Sequence, residues 1–147
     1  MFVESKKSLW YNQSMNKRVE NEIKNLTSIF QLYSQVKLVY FFGSRTKGKE
    51  GPLSDYDFAI YLDEKDKNKR FELRLNILAK LSIKAKTDAV DVIVLNDTQS
   101  PEFKYGIIKE GKLIYQEDPY KMLVEPRILN EYFDFIYGLR KYGLTKI

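Results

Sequence analysis

A few residues in this chain combine types and spacing suited to phosphate and metal chemistry. In the segment FFGSRTKGKEGPLSDYDFAIYL, Gly43 and Ser44 end an apolar run, ten residues intervene, and Asp55 and Asp57 open the next run. A glycine lets backbone approach a phosphate closely, and a following turn offers it unpaired N–H groups. Ser44 adds a hydroxyl donor at the same place. Asp55 and Asp57 are two apart on a sequence that alternates like a strand, so both carboxylates project from one face. Two like charges that close repel unless a cation or proton lies between them. Asp91 interrupts the apolar run AVDVIVL, where a charge is costly unless paired or metal-bound. If its strand lies beside the one carrying Asp57, three carboxylates converge. That oxygen-rich set suits Mg²⁺, and a two-metal site catalyses in-line phosphoryl or nucleotidyl displacement. Arg45 and Lys47 are candidate partners for phosphate charge. The plainer alternatives are that Asp55 closes a turn, Asp57 is a solvated strand residue and Asp91 a partnered structural carboxylate.

The elements that must position these residues follow from periodicity. Val19, Ile23, Leu26, Ile29, Phe30 and Tyr33 recur at spacings of three and four, which predicts an amphipathic helix over 16–33. Residues 37–42 (KLVYFF) predict a buried strand that stops at Gly43. Residues 55–62 alternate strictly, with Tyr56, Phe58, Ile60 and Leu62 on one face and Asp55, Asp57, Ala59 and Tyr61 on the other. A helix is expected over 66–84, a buried strand over 89–95, a short helix over 101–109 and a short strand over 112–115. A C-terminal helix is expected over about 119–142, with Pro126 interrupting it or marking its true start. The order α, β, β, α, β, short α, β, α makes the fold α/β (α+β), a single small mixed sheet flanked by helices.

Composition removes competing chemistries. The 147 residues contain no histidine and no cysteine, which excludes thiol nucleophiles, thiolate zinc sites, disulfide frameworks and Ser-His-Asp triads. At 44% hydrophobic and 31% charged, the chain reads as one globular domain over 1–147. The net charge of +5 is uneven. Residues 64–86 hold eight basic against three acidic side chains, and residues 87–119 hold three against seven. The basic segment reads as a lysine-rich, solvated helix face, so no direct nucleic-acid binding is expected. With no signal peptide and no apolar run near 18 residues, no membrane association is expected and the cytoplasm is the default location.

At Gly43, Ser44, Asp55, Asp57 and Asp91 the chain resembles the minimal nucleotidyltransferases of the DNA polymerase β superfamily. The likeness extends to 104–115 (KYGIIKEGKLIY), similar to that family's Glu-Gly-x-x-Ile/Leu-Tyr turn and strand, and covers roughly 36–115. Thr46, Lys47 and Gly48 depart from the Ala-Arg-Gly that many members carry after the equivalent arginine. The resemblance implies a polymerase β-like fold with a catalytic core over about 36–115. It also implies an ATP-dependent nucleotidyltransferase in which Asp55, Asp57 and Asp91 bind Mg²⁺, two ions in all. Asp91 would help activate the acceptor, and the Gly43–Ser44 turn would hold the triphosphate with Arg45 and Lys47 near it.

Minimal members of this kind are often antitoxins that transfer AMP to a tyrosine of a HEPN-type ribonuclease toxin, which implies AMPylation within a toxin–antitoxin system. Homo- and hetero-oligomers both stay open. The aromatic segment ILNEYFDFIYGLRKY (128–142) carries more apolar side chains than one core contact needs, which suits either a partner interface or the chain's own core. The competing functions are a non-catalytic binding antitoxin and an adenylyltransferase acting on a small molecule such as an aminoglycoside.

Overall fold

The computed structural model describes residues 17–42 and 56–144, with the side chain of Val19 excepted. The helices are α1 (Lys17–Phe30), α2 (Lys67–Ala85), α3 (Pro101–Glu110) and α4 (Tyr120–Lys141). The strands are β1 (Val36–Phe42), β2 (Tyr56–Leu62), β3 (Val90–Val94) and β4 (Lys112–Gln116). A short 3-10 turn, Leu95–Asp97, follows β3. The strands form one sheet in the order β3-β2-β1-β4. β1 pairs antiparallel with both β2 and β4, and β2 pairs parallel with β3 through the α2 crossover. The expected sequence of elements is therefore the observed one, with ends shifted by at most three residues.

β1 buries both of its faces, which explains why it reads as a continuous apolar run. On one face, α1 and α2 pack Ile23, Leu26, Phe30, Ile77 and Leu81 against Phe41, Phe58, Ile60, Val92 and Val94. Phe58 anchors this layer, meeting Phe30 edge-on with ring centroids 5.1 Å apart and Phe41 at 5.4 Å. Burial of an aromatic side chain of this kind contributes roughly 1.5–3 kcal/mol. On the other face, α3 and α4 pack Ile107, Val124 and Ile128 against Leu38, Tyr40, Ala59 and Leu113. This helix pair crosses over β1. Asp57, Tyr61, Asp91 and Ile93, on the same face of β2 and β3, stay half-buried.

Local chemistry sets the helix ends. Asp66 caps α2 by accepting the Asn68 N–H at 2.9 Å, and Ser100 caps α3 by accepting the Phe103 N–H at 3.2 Å. Pro101 occupies the first turn of α3, where its missing N–H costs nothing. Pro126 corrects the sequence expectation: it lies inside α4, which runs unbroken from Tyr120 to Lys141. The carbonyl it cannot pair belongs to Met122, a residue that is 78% exposed, so the lost bond falls on the solvent-facing side of the helix and no break is needed.

Candidate active site

The site is built on the second residues of two parallel strands. Asp57 and Asp91 are register partners on β2 and β3, so their side chains leave the same face on strands about 4.8 Å apart. That face is the one the α3–α4 pair leaves partly open. Asp57 is also the register partner of Phe42 at the end of β1, so β1 ends and β2 begins at the same end of the sheet as the acids. The start of β2 is fixed from outside: the Tyr56 hydroxyl donates to Glu22 of α1, and the Tyr56 N–H donates to the Ala89 carbonyl at 3.1 Å.

Asp91 is held through one oxygen. Its Oδ1 accepts the Val92 N–H at 2.9 Å and a contact from Arg74 Nη2 at 3.4 Å. The charge in the apolar run AVDVIVL is thus partnered, and its side chain is 48% exposed rather than buried in hydrocarbon. Two carboxylates side by side, open to one face and offering oxygen only, fit a hard divalent cation such as Mg²⁺. Among the described residues no group of three acidic side chains gathers around such an ion. Asp55, the third candidate, lies outside the described residues, as do Gly43, Ser44, Arg45 and Lys47.

Further along the same face, a groove of about 530 Å³ opens between the sheet and α4. Tyr61 and Leu95 form its floor, and Lys104, Arg127, Glu131 and Asp134 its rim. Tyr61 lies four residues beyond Asp57 on the same face of β2, roughly 13 Å along the strand. Lys104 Nζ pairs with Glu131 Oε1 at 2.7 Å. The far end of the sheet is locked by side chains that imitate backbone. Asn96 donates to the Leu62 carbonyl at 2.9 Å and accepts the Leu62 N–H at 3.0 Å. Arg70 forks onto Asp97, with Nη2 at 2.6 Å and Nε at 3.0 Å, and also donates to the Glu64 carbonyl at 2.9 Å. The Arg70 hydrogen bonds hold the Asp97 carboxyl below the usual carboxylate range.

Sequence reasoning missed Arg70 and Arg74, reading them as part of a solvated basic face. Neither has a local signal, because their partners lie 27 and 17 residues away. The groove rim did have one: Arg127, Glu131 and Asp134 recur at helical spacing beside the aromatic stripe. That stripe divides. Ile128 is buried, Tyr132 stacks flat on Tyr105 with ring centroids 3.9 Å apart, and Phe133 and Tyr137 are exposed. Among the described residues no helix is long and apolar enough to cross a membrane.

Comparison with known proteins agrees with this fold. A curated relative, the protein adenylyltransferase MntA of Aphanizomenon flos-aquae, is 31% identical over 90 residues, covering 56% of this chain and 58% of that protein. The match thus spans a little over half the length of that relative. A chain in the structure of tri-AMPylated Shewanella oneidensis HEPN toxin in complex with MNT antitoxin superposes with a TM-score of 0.61. It is 20% identical, over 84% of this chain and 92% of that one. A toxin–antitoxin structure with AMP-PNP gives a TM-score of 0.64 at 22% identity, over 84% and 94%. At such identities the structural likeness speaks to the fold, a mixed sheet with helices on both faces. The family described as Polymerase beta, Nucleotidyltransferase matches residues 24–120, which contain all four strands and both acids, and the chain belongs to that nucleotidyltransferase family.

Proposed function

We propose that this protein is a Mg²⁺-dependent adenylyltransferase that moves AMP from ATP to a hydroxyl of a partner protein, a tyrosine of a HEPN-type toxin, and thereby acts as its antitoxin. The observation that carries the reading is the register pairing of Asp57 with Asp91 on an open sheet face, within a chain of the polymerase β nucleotidyltransferase family. The protein adenylyltransferase name of the 31% identical relative supports the reaction. The AMPylated HEPN toxin in the structure that shares this fold supports the partner.

Asp55, Asp57 and Asp91 would hold Mg²⁺, which when bound supplies charge neutralisation and polarisation at the phosphates. Asp91 orients the attacking hydroxyl and accepts its proton. The new bond forms between that oxygen and the α-phosphorus, the bond from the α-phosphorus to the bridging oxygen of the β-phosphate breaks, and pyrophosphate leaves with that electron pair. Ser44 binds the departing phosphates, and Arg45 and Lys47 offset their charge.

The exposed Phe133 and Tyr137 favour a second reading, neutralisation by complex formation alone. The two separate on labelled ATP. Label from the α-phosphate reaches the partner and label from the γ-phosphate does not, and an Asp57→Asn variant transfers neither while still binding the partner. A partner that stays unlabelled with the wild-type protein but is neutralised by it leaves the binding reading in its place.

A further inference from the structure

We propose that Arg74 is a positioning residue for Asp91, reaching its carboxylate around the open edge of the sheet. This rests on the metal-site reading above. Among the described residues β3 ends the strand order on one side, so within them the Val92 N–H and carbonyl on its outer edge have no neighbouring strand to pair with. α2 packs against the sheet face opposite the acids. From there the Arg74 side chain passes the strand edge and makes two contacts at once. Its Nε donates to the Val92 carbonyl at 2.5 Å, and its Nη2 lies 3.4 Å from Asp91 Oδ1. The same Oδ1 accepts the Val92 N–H at 2.9 Å. Guanidinium, carboxylate and the backbone N–H and carbonyl of one residue, Val92, therefore close a ring on a single side of Asp91. Among the described residues no donor reaches Oδ2.

The consequence is chemical. A carboxylate with 48% of its side chain exposed would ordinarily sample several rotamers. Here Oδ1 is tied to the strand edge, and Oδ2 is kept for a ligand. The guanidinium also offsets the repulsion between Asp91 and its register partner Asp57. The planar fork matters as much as the charge, because it spans the Val92 carbonyl and the carboxylate together in a way a lysine ammonium does not.

The test is Mn²⁺ binding to the whole chain, followed by electron paramagnetic resonance, with thermal melting as a check on folding. Arg74→Met is expected to weaken Mn²⁺ binding by about 10–100-fold, the usual effect of removing a group that orients a metal ligand. Arg74→Lys, which keeps the charge and the fold but not the fork, is expected to fall in the same range. In an Asp91→Ala background, Arg74→Met is expected to add no further loss. Binding by Arg74→Met or Arg74→Lys at the wild-type level would overturn the inference, as would an equal loss with and without Asp91. Wild-type protein whose Mn²⁺ binding is absent, or is untouched by Asp57→Asn, brings down the metal-site reading and this inference with it.

Discussion

Asp57 and Asp91 are costly residues whose position makes them useful. Each stands in an otherwise apolar strand, and each is half-buried where the helices leave the sheet uncovered. Asp97 shows the contrasting case of a carboxylate fully committed to structure. Arg70 forks onto it and lowers its pKa, so the folded state prefers it ionised. Its contribution is present above the unfolded pKa near 4 and is lost as pH falls through the depressed folded value. Asp97→Asn should therefore cost about 1.5–3 kcal/mol at neutral pH. Urea titrations should find the gap between variant and wild type smaller in strong acid, below the ordinary carboxylate range, than at pH 7. A gap that is unchanged or wider in acid would contradict the pairing. Tyr40 is committed in a similar way: burial first, and the neighbouring Glu125 second, push its hydroxyl well above the usual tyrosine range, and it donates to Glu125 at 2.5 Å.

At the scale of elements, the α3–β4 junction shows why the Glu110-Gly111 turn takes the form it does. A Cβ on Gly111 would lie 2.5 Å from the Ile107 carbonyl oxygen and 3.3 Å from that of Phe41. The glycine is required by close approach of backbone, since its φ of −75° suits any residue. Gly111→Ala should thus destabilise by about 1–3 kcal/mol, as overpacking does, measured by thermal or urea unfolding. A neutral result would mean that the junction relaxes freely. Most elements were legible in the sequence because their periods are clean: strict alternation in β2, and spacings of three and four in α1. Asp57 and Asp91 were legible as a pair because β2–α2–β3 is a short crossover that brings consecutive strands together. Pro126 was not legible, since whether a missing helix bond matters depends on solvent reaching Met122. Nor was Arg74, whose contacts depend on which strand ends the sheet.

Across the whole molecule, the two sheet faces divide the labour. α1 and α2 bury one face in an apolar core. α3 and α4 cover only part of the other, leaving the acid pair and the groove beyond it open. The outer side of α4 carries Phe133 at 55% and Tyr137 at 67% exposure. Replacing both with serine should leave stability within about 0.5 kcal/mol yet weaken partner binding about tenfold or more, measured by calorimetry. Loss of stability with binding intact would place these rings in the chain's own core instead. The most direct measurement of the central claim is the intact mass of a HEPN-type partner after incubation with this protein, ATP and Mg²⁺. The account predicts that the partner gains AMP with the wild-type protein and gains none with Asp57→Asn. A partner left unmodified by the wild type, or modified equally by the variant, would contradict it.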